Sequence, residues 1–187
     1  MHDHSDIELV KGVLRGNPAS EEALYRRFSA PMFRVCMRYA ANRAEAEDML
    51  QEGFMRVFTD LKDYQEAGSL EGWIRRVVVR AALRWLRNRR AYEMADLPDD
   101  LFLAEPNNNG HHDHMDLSNE SILVVQLLQQ LPTGYRTVLN LYAIEGYNHE
   151  EIAGLLNISI GTSRSQLSKA RTLLRKMLEQ KKVMSDE

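Results

Sequence analysis

One cysteine, Cys36, stands in 187 residues, so no disulfide can close within the chain and a disulfide-stapled scaffold is excluded. Long apolar runs are missing too. No stretch approaches the roughly 20 residues that cross a bilayer, and Met1–Leu9, MHDHSDIEL, has neither the basic start nor the apolar centre of a signal peptide. A reducing, cytoplasmic setting with no membrane is the expectation. Period-2 alternation with β-branched enrichment is absent, which argues against strands, and there is no internal repeat. There is no glycine-rich phosphate loop and no Ser/His/Asp arrangement. His149-Glu150 lacks the second histidine of a zincin HExxH motif, because Ala153 stands in its place. His111, His112 and His114 with Asp113, and His2 and His4 elsewhere, are ligand-rich, but they fall where no fixed geometry is expected, and a metal site needs one. The reading is a non-enzyme with no metal and no cofactor.

An excess of positive charge is also missing: the formal net charge is −3. Its distribution matters more than its sum. Glu93, Asp96, Asp99, Asp100, Glu105, Asp113, Asp116 and Glu120 crowd one segment that holds no lysine or arginine, and outside it 24 basic residues face 19 acidic ones. Gly68–Tyr92 carries seven arginines against Glu71 alone, and Gly161–Lys182 carries seven lysines or arginines against Glu179 alone. Two basic helices separated by an acidic tether suit a polyanionic partner.

What is present is helix. With 44% hydrophobic and 27% charged residues, the composition is that of a chain able to bury a core. The spacing predicts an all-α protein of two small helical domains, residues 1–92 and 120–187, joined by a flexible acidic linker over 93–119. The linker's Asp96–Asn119 stretch contains two prolines and an asparagine run. In the first half, Asp6–Arg15 should form a helix stopped by Gly16-Asn17-Pro18. Ser20-Glu21-Glu22 offers the next cap, and Pro31 should start or kink the following piece. Ala44–Leu61 places Ala46, Leu50, Phe54, Val57, Phe58 and Leu61 on one face, leaving Glu45, Asp48, Glu52 and Thr59 outward with Gln51 and Met55 at the edges. Gly53 interrupts it at a cost of about 1 kcal/mol relative to alanine. Ser69 can cap a helix through Arg90, with an apolar stripe of Leu70, Trp73, Ile74, Val77, Ala81 and Trp85. In the second half, helices are expected from Asn119, over Thr133–Glu145, from a capping box at Asn148–Glu151, and over Ile160–Leu178.

Three features point to function. NHEEIAGLLNISIGTSRSQLSKARTLL reads as a helix-turn-helix. Asn157 tolerates the left-handed turn, and Ser163, Leu167, Ala170, Leu174 and Met177 face inward. Arg164, Ser165, Ser168 and Thr172 face outward with Lys169 and Arg171 flanking, as base-reading and phosphate contacts require. Arg76, Arg80, Arg84 and Arg87 form a 4-4-3 stripe beside Trp73 and Trp85, a combination suited to single-stranded or opened nucleic acid. The acidic-polar outer face of Ala46–Phe58 suits a basic protein partner rather than DNA.

AEDMLQEGFMRVF, WIRR before a basic helix, and LPTGYRTVLNLYAIEGYNHEEIAGLLNISIGTSRSQLSKAR together resemble the extracytoplasmic-function sigma factors of bacterial RNA polymerase, in order, spacing and linker position. The resemblance implies that residues 1–92 are sigma region 2 and 120–187 region 4. It also implies that the chain joins core polymerase at the clamp coiled coil and the flap, that promoter DNA is its ligand, and that an anti-sigma factor is a candidate partner. It assigns Asp48, Gln51 and Glu52 to the clamp, with Met55 at the edge of the same face, and Arg164, Ser165, Ser168 and Lys169 to the minus-thirty-five element, with Arg171 as a flanking phosphate contact. The arginine stripe of Arg76, Arg80, Arg84 and Arg87 with Trp73 is then the candidate for the minus-ten element, though its base preference does not carry over. Three positions depart from the family pattern: Arg80 where asparagine is usual, Ser163 where valine packs, and Gln166 where arginine or lysine is common. The alternative reading is a helix-turn-helix regulator that binds DNA without joining polymerase.

Overall fold

The computed structural model describes residues 5–95 and 119–185, and every regular element in them is helical. The linker stretch 96–118 with its histidines, and His2 and His4, lie outside the described residues. Packing divides the chain into two units, Met1–Cys36 with Ala44–Leu97, and Met37–Arg43 with Pro98–Glu187.

In the first unit, α1 (Asp6–Leu14) opens on a capping box. The Ser5 hydroxyl accepts from the Glu8 amide, and the Glu8 carboxylate accepts from the Ser5 amide at 3.0 Å. The next helix, α2 (Pro18–Tyr39), departs from expectation at both marked points. Its cap is Asn17, whose Oδ1 accepts from the Ala19 amide at 3.0 Å, with Pro18 leading the helix and Ser20 inside it; a proline there lacks only an N–H that would have no partner. The helix then continues through Pro31, which starts no new piece. An interior proline costs about 3 kcal/mol. Leu24, Phe28, Met32, Phe33, Val35 and Cys36 are all buried, and at roughly 1.5–3 kcal/mol for each large apolar side chain one continuous buried face outweighs the break.

Helix α3 (Arg43–Asp60) buries Ala46, Met49, Leu50, Gly53, Phe54 and Val57. A short 3-10 turn, Leu61–Asp63, follows and buries Leu61. Gly53 has a positive reason to be glycine: a Cβ there would sit 3.1 and 3.3 Å from the two methyls of Val78 on α4 (Leu70–Ala95), so the two helix backbones approach closely at this point. Ser69 caps α4 as expected, accepting from the Gly72 amide at 3.1 Å, but the helix continues five residues past Arg90. Its buried line is Leu70, Ile74, Val78, Ala81 and Ala82. Trp73, Val77 and Trp85 are only half-buried, so the packed stripe lies about a residue round from the expected one.

The second unit contains the last residues of α2, Met37–Tyr39, with α5 (Asn119–Gln129), α6 (Thr133–Ala143), α7 (His149–Leu156) and α8 (Ile160–Ser185). Asn148 caps α7 through its Oδ1, which accepts from the Glu150 and Glu151 amides at 2.9 Å, while the Glu151 carboxylate accepts from the Asn148 amide at 2.8 Å. Asn157 ends α7 in the left-handed region at φ 54°, a conformation asparagine adopts more readily than most residues. Ser159 then caps α8, accepting from the Thr162 amide at 2.9 Å. The core is Leu127, Leu128, Leu131, Val138, Leu141, Ile152, Leu167 and Ala170. Three polar side chains of α6, Arg136, Thr137 and Asn140, are buried with it. Asn140 donates to the Arg38 carbonyl at 2.7 Å, and Arg136, 1% exposed, donates to the carbonyls of Tyr39, Gln129 and Leu131. These satisfy carbonyls left open where helices end.

Candidate nucleic-acid interface

Helix α3 leaves Asp48 and Gln51 exposed, Glu52 half-buried, and Met55 64% exposed. Beside them lies an open groove of about 410 Å³ lined by Tyr25, Glu47, Leu50, Gln51, Phe54, Met55 and Phe58. Tyr25 packs edge-on against Phe54 with ring centroids 4.7 Å apart, and Phe58 tilts against the same ring at 6.1 Å. The surface is therefore an acidic and polar rim beside an aromatic trough. Sequence reasoning found the rim and missed the trough. Tyr25 comes from α2, and Phe58 was expected on the buried face.

Glu45 was expected on the outer face and is instead buried, ion-paired with Arg89 of α4. The Arg89 guanidinium also lies over the Trp85 ring, 5.3 Å from its centroid. A buried carboxylate requires such a partner, so Arg89 ties α4 to the start of α3. The four arginines of the predicted stripe, Arg76, Arg80, Arg84 and Arg87, are all exposed. Trp73 is half-buried and tilted against Tyr64, centroids 5.6 Å apart. The Tyr64 hydroxyl donates to the Gly68 carbonyl at 2.8 Å. Its pKa is raised, first by burial and then by Asp6 and Glu66, which keeps it a neutral donor. The bend before α4 thus fixes Trp73 at the head of the arginine row.

In the helix-turn-helix, Arg164, Ser165, Ser168, Lys169, Arg171 and Thr172 are all exposed on α8, while Ser163, Leu167 and Ala170 are buried and Leu174 and Met177 half-buried. The Ser165 hydroxyl donates to the Thr162 carbonyl at 3.0 Å. Ser168, Lys169 and Thr172 line a shallow groove of about 310 Å³ with Tyr135, Leu173 and Lys176. Gln166 is half-buried against α6, its amide 3.3 Å from where a Cβ on Gly134 would be. The Arg171 guanidinium rests over Tyr142, 5.6 Å from the ring centroid. Ser163 is fully buried and its hydroxyl is 2.9 Å from His149 Nδ1. The motif is therefore cross-linked at this position. An inward-facing serine asks for a polar partner, the one sequence signal that could have drawn His149 into the site.

Two family models match in order along the chain, Sigma-70 region 2 over residues 24–92 and Sigma-70, region 4 over residues 121–174. The chain is 33% identical over 163 residues to the ECF RNA polymerase sigma factor SigE of Mycolicibacterium smegmatis, a match covering 85% of this chain and 62% of that relative. It is 28% identical over 185 residues to the RNA polymerase sigma-H factor of Pseudomonas aeruginosa, covering 93% and 94%. Among solved structures, the sigma factor RpoE of Bartonella quintana, co-crystallised with the anti-sigma factor NepR, is matched with a TM-score of 0.48 at 19% identity over 81% of this chain and 92% of that one. The chain belongs to the extracytoplasmic-function sigma factors. Among the described residues no helix is long and apolar enough to cross a membrane.

Proposed function

We propose that the chain is a sigma subunit that joins core RNA polymerase and directs initiation at promoters with separated minus-ten and minus-thirty-five elements. One observation carries the reading: region 2 and region 4 matches lie in order on one chain, and each has an exposed cationic helix face. On this reading residues 1–92 and 120–187 are the two working domains and 93–119 the acidic connection. Asp48, Gln51, Glu52 and Met55, with the aromatic trough beside them, receive the polymerase clamp. Arg76, Arg80, Arg84, Arg87 and Trp73 hold the opened minus-ten strand. Arg164, Ser165, Ser168, Lys169 and Arg171 meet the upstream duplex. The work is binding and positioning, with no catalysis by this chain, and it takes place in the cytoplasm. An anti-sigma factor would act by covering one of these faces.

The test is transcription in vitro from a genomic library with core polymerase and the purified chain, followed by start-site mapping. Discrete new start sites with a shared pair of upstream elements are the expected result. Duplex binding without copurification of core polymerase would instead favour a regulator working alone.

A further inference from the structure

The shallow groove of about 310 Å³ between α6 and α8 joins two kinds of surface. Tyr135 and Leu173, both half-buried, make its apolar part, and Lys169 and Lys176, both exposed, make its charged part. None of its lining residues is a carboxylate. The two lysines are seven residues apart on one helix, so their Cα atoms lie about 10 Å apart along its axis. An occupant that uses the whole groove is an anionic chain with an apolar side chain between its charges. Phosphate backbone supplies the charge and leaves Tyr135 and Leu173 unmatched.

The chain itself contains a segment of this chemistry. Positions 93–120 hold eight carboxylates and no lysine or arginine, and within them residues 99–105, DDLFLAE, set Leu101, Phe102 and Leu103 between Asp99 and Asp100 on one side and Glu105 on the other. Glu105 precedes Asn119, the first residue of α5, by 14 positions, and that much chain can span about 45 Å. Helix α5 packs against α8, and a helical unit of this size is roughly 30 Å across, so the tether reaches the groove. It also holds the segment there at about millimolar effective concentration, enough for weak contacts to matter. Two other placements fit less well. The trough beside Met55 has Glu47 on its wall, which repels carboxylates. Asp186 and Glu187 are carried about 13 Å past Lys176 by α8 itself, which runs on to Ser185.

We propose that residues 99–105 dock into the α6–α8 groove of their own free chain, Phe102 against Tyr135 and Leu173 and the flanking carboxylates at Lys169 and Lys176, and so keep the duplex from the outward face of α8. Opposite charges meeting across the groove set the partner. The docking follows from the groove and the sequence, while its consequence for DNA rests on the reading of α8 as the duplex-binding helix. Ser168 and Lys169 belong to both surfaces, so segment and duplex exclude one another.

The experiment uses the full chain, isotope-labelled and free of polymerase. Backbone amide signals are compared among wild type, Phe102→Ser, the triple variant Asp99→Asn/Asp100→Asn/Glu105→Gln, and a control that removes three charges elsewhere, Glu93→Gln/Asp113→Asn/Asp116→Asn. The first two variants should shift the amides of Tyr135, Leu173 and Lys176 and leave α1 to α3 in place, and the control should leave the groove signals where they are. The same proteins are then titrated at fixed ionic strength with a duplex taken from upstream of a mapped start site. With the segment docked about four-fifths of the time, about one chain in five is open, so Phe102→Ser and the triple variant should bind about fivefold more tightly. Phe102→Ser does so without any change of charge, and in a Lys176→Glu background it should gain nothing. Groove signals that stay put in both variants, signals that move in α1 to α3 instead, or shifts that depend on protein concentration and so report a second copy each overturn the proposal. So does a gain in duplex affinity that the control matches and Phe102→Ser lacks, or a groove that responds with no gain in affinity. A chain that starts transcription nowhere overturns the sigma reading, and the amide comparison still decides whether the segment docks.

Discussion

Replacing Gly53 with alanine sets two effects of similar size against each other. In an open helix the change would stabilise by about 1 kcal/mol, because glycine is that much poorer a helix former. Here the new methyl would lie 3.1 and 3.3 Å from the methyls of Val78 and 3.5 Å from its Cα. Rotating Val78 only exchanges one branch for another, and β-branched residues in helices have essentially one good rotamer, so α4 must move off α3. Overpacking of this kind costs about 1–3 kcal/mol. Gly53→Ala should therefore destabilise the first unit by about 1 kcal/mol net. In a Val78→Ala background, where both offending methyls are gone, the same change should stabilise by about 1 kcal/mol. Both tryptophans, Trp73 and Trp85, lie in α4, so urea unfolding followed by fluorescence reports on this unit. The four proteins of the cycle should show a coupling of about 1–3 kcal/mol. Stabilisation of the same size in both backgrounds would mean that the helices do not meet at Gly53, and the packing argument would be wrong.

Reversing charge in Asp48→Lys/Glu52→Lys should weaken copurification with core polymerase. Asp48 is exposed and Glu52 half-buried, so circular dichroism should show little change, and undiminished copurification would remove this face from the polymerase contact. Arg164→Ala should cost about 1–3 kcal/mol at one base pair of the upstream element and relax preference there. Arg171→Ala should weaken binding to all sequences alike and reduce the salt slope by about one. Uniform loss in both, measured on matched and singly mismatched duplexes, would mean that α8 positions the domain without reading sequence. Replacing His111, His112 and His114 together with alanine should leave transcription in vitro unchanged; loss of activity would give that cluster a role.

The parts of this architecture legible from sequence are those fixed by neighbours in the chain. Ser69 and the Asn148–Glu151 box announce helix starts because a cap and its amides lie within three residues, and Asn157 marks its turn for the same reason. That Pro31 starts no new helix was not legible, because the local cost of a helical proline is visible in sequence, whereas the buried face that outweighs it is assembled by other helices. Glu45 was misplaced because its partner, Arg89, lies 44 residues away, beyond any periodicity argument. Of the candidate site, the outward residues of α4 and α8 followed from helical spacing alone. The aromatic trough beside Met55 did not, since it needs Tyr25 from another helix. His149 was passed over because an isolated histidine acquires meaning only when Ser163 is seen to face it.

If Arg171 meets DNA as proposed, its position over Tyr142 bears on how quickly and at what entropic cost α8 does so. A long side chain that is ordered on binding loses rotamer freedom worth about 0.5–1.5 kcal/mol. A guanidinium attracted to an aromatic face by about 0.5–1 kcal/mol has surrendered much of that freedom before any phosphate arrives. Its charge is thereby presented from a narrow range of positions beside the reading face. An encounter with the duplex then selects among few conformations of this arginine instead of waiting for one of many.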